Sequence, residues 1–235
     1  MILCPSMMCA DYARLKQEVQ ELEAAGADIF HCDVMDGCFV PNITMGLMDV
    51  KTVRAHTKAM LDVHLMIEHP ADKVDWFLQA GADLIYIHPE AEPQVMKTLM
   101  YIRAQGKLAG LAINPDTSVS TIKELLPHCD QIVIARGDLG NAMPLWELPA
   151  VQKSIQDICK EYSMPYMVVT QMLDSMMEHP IPTRAEVSDV FHAVYHGASS
   201  IMLTGETAAG KYPLQAMEYF CETAKSALSC KEEAL

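Results

Sequence analysis

One phrase recurs along this chain every few tens of residues: an amphipathic stretch, then glycine among small residues, then a short buried run. It reads Ala25-Gly26-Ala27-Asp28 before Ile29-Phe30-His31, and Ala80-Gly81-Ala82-Asp83 before Leu84-Ile85-Tyr86-Ile87. Gly106 precedes Leu108-Ala109-Gly110-Leu111, and His196-Gly197-Ala198 precedes Ser200-Ile201-Met202-Leu203. Glycine suits the left-handed residue that ends a helix, and an unbroken apolar run reads as a strand covered on both faces. The recurrence therefore predicts repeated βα units. Carried along the chain, it places strands near residues 2–7, 29–34, 61–66, 84–88, 108–113, 131–135, 166–170 and 200–203. Amphipathic helices fill the gaps; in the first, Tyr12, Leu15, Val19 and Leu22 share one face. Alternation without a long linker predicts an α/β fold, a single (βα)8 TIM barrel over residues 1–235, with an open doubly wound sheet as the alternative.

The chain's 235 residues suit one such domain, and a hydrophobic fraction of 51% suits a large core. With 18 Met and only 6% aromatics, that core is expected to be aliphatic and thioether-packed. A net charge of −14, spread along the chain, repels phosphate backbones and argues against nucleic acid as a partner. The 8 cysteines form no C-x-x-C pair and several lie in apolar runs, so a reduced, cytoplasmic protein is expected. The opening residues 1–10 lack a basic leader and are cut short by Asp11, and no apolar run is long enough for a membrane span.

Chemistry-bearing residues cluster at strand ends. In the second unit, His31-Cys32-Asp33-Val34-Met35-Asp36-Gly37 places His31 and Asp33 two apart, hence on one side of a strand. The third strand ends in His64-Leu65-Met66. Two imidazoles and a carboxylate converging from adjacent strands suit a divalent metal that keeps open positions for substrate oxygens. His88 and Glu90, after the fourth strand, read equally as substrate contacts or as core and capping residues.

Cys4-Pro5-Ser6-Met7-Met8-Cys9-Ala10-Asp11, His31 through Asn42, His64-Leu65-Met66, His88-Pro89-Glu90 and Ala112-Ile113-Asn114-Pro115 together resemble the ribulose-phosphate 3-epimerase family. Within it they resemble the allulose-6-phosphate 3-epimerase branch, over residues 1–128 and the first five units. The resemblance implies His31, Asp33 and His64 as ligands of a divalent metal (Zn, Mn, Fe or Co) and Asp33 as a catalytic acid or base. It also implies Ser6, Met35 and His64 as substrate contacts. Such an ion stabilises negative charge beside a carbonyl, while inversion needs one proton removed and another delivered on the opposite face.

From residue 129 the likeness changes. Ile134-Ala135-Arg136-Gly137-Asp138-Leu139-Gly140, Thr170 through Met176, Pro182-Thr183-Arg184-Ala185-Glu186 and Thr204 through Pro213 resemble pyruvate kinase, at its sixth, seventh and eighth barrel strands. The resemblance implies Asp138 as a metal ligand, with Mg on that side. It implies the Gly137 and Asp138 amides with Thr170 around a substrate carboxylate, and Glu206 near proton transfer. Residues 1–128 and 129–235 are thus expected to form one chimeric barrel.

Each likeness is incomplete. Thr170 stands where the epimerase family has its second catalytic Asp, which leaves Asp138 and Glu206 as the carboxylates able to replace it; Asp138 is alternatively a fourth metal ligand. The kinase's strand-five Lys-x-Glu pair, its nucleotide-side arginine, and its lid and regulatory domains have no counterpart, which argues against phosphoryl transfer. Gly205-x-x-x-x-Gly210-Lys211 nearly spells a phosphate loop, but Tyr212 occupies the Ser/Thr position; Lys211 and the loop amides remain candidate phosphate contacts. The sequence thus predicts an impaired, metal-dependent 3-epimerase-like isomerase of a ketopentose or ketohexose phosphate. The alternatives are a non-catalytic barrel scaffold and a pyruvate-kinase-like keto-acid site. A small phosphorylated sugar is the expected partner, and a homo-oligomer is left open.

Overall fold

The computed structural model describes residues 1–8, 10–114 and 117–233, with only the backbone of Val119 and Asp138. Cys9, Pro115 and the side chain of Asp138, singled out above, lie outside the described residues. Strands β1 (Ile2–Pro5), β2 (Ile29–Met35), β3 (Met60–Met66), β4 (Leu84–Ile87), β5 (Leu108–Ala112), β6 (Gln131–Ala135), β7 (Tyr166–Val169) and β8 (Ser200–Leu203) form one parallel sheet. Between them run α1 (Leu15–Ala24), α2 (Leu47–His56), α3 (Val74–Ala80), α4 (Val95–Ala104), α5 (Val119–Leu125), α6 (Arg136–Ala142), α7 (Leu148–Glu161) and α8 (Arg184–Tyr195). The short α9 (Gly205–Ala208) and the long α10 (Pro213–Glu233) follow β8. No described helix is long and apolar enough to cross a membrane.

Sheet order is sequential, β1-β8-β7-β6-β5-β4-β3-β2, with no reversal of strand order. That excludes the doubly wound alternative, which requires a switch point. Between β1 and β2 the sheet is joined by the parallel bridge Ser6↔His31, with the Met7 amide donating to the His31 carbonyl at 2.9 Å. The expected helix-ending glycines take their place: Gly81, at φ +101°, caps α3, and a β-carbon there would lie 2.6 Å from Arg54.

Side chains sort by the two-residue period of the strands. One large core lies between sheet and helices, with Phe30, Leu61, Val63, Leu65, Ile85 and Val168 among its members. A smaller one fills the barrel interior, where Cys4, Ile29, Leu84, Tyr86, Ala112, Val133, Met167, Val169 and Met202 meet. This interior draws on residues 1–128 and 129–235 alike. The β5–β6 junction is an ordinary parallel ladder, Gly110↔Gln131 through Ala112↔Val133, and β8–β1 is another. A polar chain ties the two stretches as well: the Tyr86 hydroxyl donates to Gln131 Oε1 at 2.6 Å, and Gln131 Nε2 donates to Ser200 Oγ at 2.6 Å.

Room for the Tyr86 ring comes from Gly110, its register partner on β5. A β-carbon at Gly110 would sit 2.0 Å from Tyr86 Cδ1. Gly110→Ala is therefore expected to destabilise the fold by about 1–3 kcal/mol through overpacking. Urea denaturation checks this, and an unchanged midpoint would contradict the packing described.

Candidate active site

Residues 31 and 33 on β2 and residues 62 and 64 on β3 all point into the barrel, at positions that interior layers ordinarily fill with branched apolar side chains. Asp33 is the hub. Its Oδ1 lies 3.0 Å from His31 Nε2 and 3.2 Å from His64 Nδ1, and its Oδ2 accepts from Ser6 Oγ at 2.9 Å. All four residues are buried. Met35 ends β2 on the same side and is half-buried. The loop after β2 folds over the cluster: Thr44 Oγ1 donates to the Asp33 carbonyl at 2.5 Å, and Phe39 packs on the His88 ring at 5.0 Å.

These groups fit a metal ion. The ligand atoms of His31, Asp33 and His64 all lie within 4.8 Å of one another. Two donors bound about 2.1 Å from one ion, roughly at right to tetrahedral angles, are themselves about 3.0–3.4 Å apart, which matches the separations around Asp33. Two imidazoles and a carboxylate suit Zn, Mn, Fe or Co better than Mg, which prefers oxygen donors.

Charge in the cluster is organised by burial and by the two acids. Burial would lower the His31 pKa, but the Asp33 and Asp62 carboxylates flanking it hold it well above its ordinary value. Burial would likewise raise Asp33, yet His31 and then the His64 hydrogen bond hold it well below the usual carboxylate range. Burial and the adjacent His88 push His64 down to about 4, against the pull of Asp33. The cluster at neutral pH is therefore a cationic His31, an ionised Asp33 and a neutral His64.

Two further residues join that sequence reasoning missed or left undecided. Asp62, fully buried, brings Oδ1 to 2.7 Å from His31 Nδ1. His88 brings Nε2 to 2.7 Å from His64 Nε2, and its Nδ1 lies 3.6 Å from Glu90 Oε2. The signal for Asp62 was its spacing: two residues before His64, it shares that residue's face of β3, within a run read only as core strand.

Residues from the second stretch are arranged around other tasks. Arg136, buried, donates to the carbonyls of Val169, Thr170 and Gln171 and pairs with Asp189. It thereby holds a turn in which Thr170 and Gln171 both take positive φ, 68° and 52°. The Thr170 hydroxyl accepts from the Gly137 amide at 2.6 Å and donates to the Val169 carbonyl at 2.6 Å. Glu206 is buried with Oε1 accepting from the Leu173 amide at 2.8 Å and Oε2 from the Thr204 amide at 2.9 Å. The Lys211 side chain is exposed and pairs with Glu178. Of the residues expected in one site, Ser6, His31 and His64 each hydrogen-bond Asp33; Gly137 and Thr170 form a separate contact, and Glu206 and Lys211 have partners of their own.

A groove of about 860 Å³ lies away from this cluster, between α1 and α10, lined by Met1, Gly26, Asp28, Leu214, Glu218 and Cys221 among others. Among the described residues it is the strand-end cluster that joins a carboxylate to two imidazoles within metal-binding distance.

Comparison with known proteins finds both likenesses. A sequence model of the ribulose-phosphate 3 epimerase family matches residues 2–162. The ribulose-phosphate 3-epimerase of Synechocystis sp. is 47% identical over 165 residues, 68% of this chain and 71% of that protein. The Bacillus subtilis ribulose-phosphate 3-epimerase is 44% identical over 132 residues, 56% of this chain and 61% of that protein. A pyruvate kinase of Methylorubrum extorquens is 39% identical over 158 residues, 67% of this chain and 33% of that protein. The 68% and 67% shares together exceed the whole chain by about a third, so the two likenesses overlap over at least that much of it. The epimerase match itself runs past residue 128, through β6 and α7.

The His64 shift makes stability depend on pH in a defined direction. An unfolded His titrates near 6.5 and the folded His64 near 4, so between those values only the unfolded chain takes up the proton. His64 therefore subtracts stability as pH falls from about 6.5 to 4, by up to about 3 kcal/mol. The metal-free protein should lose stability more steeply than His64→Gln over that window, as read by denaturant titrations. Parallel curves would contradict the assignment.

Proposed function

Because this chain belongs to the ribulose-phosphate 3-epimerase family, we propose that it acts as an isomerase on a ketopentose or ketohexose phosphate, inverting the carbon next to the carbonyl. The chain spans 71% and 61% of the two epimerases compared and a third of the pyruvate kinase. The observation that carries the reading is the hydrogen-bonded set of Ser6, His31, Asp33 and His64 at the ends of β1, β2 and β3. A divalent Zn, Mn, Fe or Co ion held by His31, Asp33 and His64 would supply Lewis-acid stabilisation of negative charge on substrate oxygens.

The residues of the chain do the rest. Asp33 is ionised and anchored on both oxygens, which fixes its direction as a proton acceptor. Ser6 orients that carboxylate from the β1 side. Inversion also requires a proton donor on the opposite face, and at the β7 position the side chain is Thr170, whose hydroxyl is not an acid at neutral pH. The carboxylate of Glu206 is engaged by two backbone amides. We therefore propose weak turnover, with ligand binding retained better than catalysis. We propose further that residues 129–235 are of pyruvate-kinase type, on the motifs at β6 to β8 and the Methylorubrum relative.

A second reading has its own observation. The Gly137 amide and Thr170 hydroxyl meet beside the Arg136 clamp, and would hold a keto-acid carboxylate by exchanging their present bonds, to Thr170 and to the Val169 carbonyl, for bonds to it. Proton exchange at the methyl group of pyruvate would support this reading, and silence in that assay removes it.

Exchange of the carbon-3 proton of ribulose 5-phosphate and allulose 6-phosphate with solvent tests the principal reading. Slow exchange is expected with Zn, Mn, Fe or Co, and Asp33→Asn is expected to abolish it. Thr170→Asp, at a position whose positive φ tolerates Asp better than Thr, is expected to raise turnover by about 10²-fold or more. Absence of exchange with every metal would reject the epimerase reading.

A further inference from the structure

Asp62 is an anomaly of the barrel interior. It is 0% exposed, and neither carboxylate oxygen has a hydrogen-bond partner among the described residues. Its one ion-pair partner there is His31, whose Nδ1 lies 2.7 Å from Oδ1, close but off the line of a good hydrogen bond. The polar groups nearby are committed elsewhere. The Tyr86 hydroxyl is used by Gln131, and Cys4, within 4.8 Å, is a thiol that burial holds protonated. A buried carboxylate without hydrogen bonds opposes folding. Nothing in the packing of β3 requires it, since its neighbours in the strand sit in an apolar core.

What the placement does accomplish is orientation. His31 lies between two acids, Nε2 towards Asp33 and Nδ1 towards Asp62. Once Nε2 has given up its proton, a carboxylate on Nδ1 keeps the remaining ring proton on that nitrogen, leaving the Nε2 lone pair aimed at the space shared with Asp33 and His64. We infer that Asp62 is a positioning residue: it selects the His31 tautomer and rotation that present Nε2 to a metal ion, at the expense of the stability of the fold. This rests on the metal-site reading of His31, Asp33 and His64 given above. Acidic partners of ligating histidines orient the ring and raise its basicity, and their loss weakens metal affinity by about 10- to 100-fold.

The role sets stability and binding against each other, which a purely structural residue would not do. Asp62→Asn should bind zinc about 10- to 100-fold more weakly by calorimetry, while the metal-free thermal midpoint stays level or rises. Asp62→Leu should do the same more strongly, and Asp62→Asn, nearly isosteric, decides the case if Leu fails to fold. Nitrogen-15 NMR of the metal-free protein, at a pH high enough to make the His31 ring neutral, should show it protonated on Nδ1 in the parent and shifting towards Nε2 in Asp62→Leu or Asp62→Asn. Unchanged zinc affinity in Asp62→Asn, or a midpoint that falls together with affinity, overturns the inference. His31→Ala separates the two readings: parent-like zinc binding in that variant rejects the metal site, and the tautomer and midpoint of the metal-free proteins still judge Asp62.

Discussion

The imidazole of His31, held between Asp33 and Asp62 inside the barrel, is the contact on which the arrangement of the site depends. It sits where the sheet is joined, as bridge partner of Ser6, so barrel closure and site assembly are one event. Its two ring nitrogens face two carboxylates at 3.0 and 2.7 Å. In a low-dielectric interior the His31 charge is offset by Asp33, and Asp62 adds a second acid with no hydrogen bond of its own. The same compensation explains the unlike behaviour of the two histidines. His31, flanked by two acids, is held cationic, whereas His64, beside one acid and a second imidazole, is held neutral.

The two sides of this end of the barrel solve different problems. Around β1 to β4 the inward positions carry acids and imidazoles, and the loop bearing Phe39 and Thr44 covers them. Around β6 to β8 the polar groups are spent on backbone. Arg136 satisfies three carbonyls of the turn after β7, and Glu206 satisfies two amides across the turns after β7 and β8. Such closed accounts of donors and acceptors make rigid loops. They also leave few free groups to complete a site begun on the other side.

That residues 1–128 and 129–235 share one interior has a simple physical basis. Parallel strands in a barrel exchange only backbone hydrogen bonds at their edges, and the β5–β6 and β8–β1 ladders show no interruption. Side-chain fit then rests on volume: Gly110 yields to Tyr86, and Tyr86 reaches Gln131 and, through it, Ser200.

The sequence by itself determined the barrel and three of its most consequential side chains. Repetition of glycine followed by a buried run located every strand to within a few residues, because helix termination and strand burial are local properties. The His31-Cys32-Asp33 spacing declared a shared face for the same reason. Which partners those side chains meet was decided only by the tertiary structure. Asp62 and His88 come to the cluster from β3 and the end of β4, and Glu206 and Lys211 find Leu173, Thr204 and Glu178 instead of the site. Periodicity tells which way a residue points along its own strand. The distances across the barrel, and hence which charges neutralise which, exist only once the strands have closed.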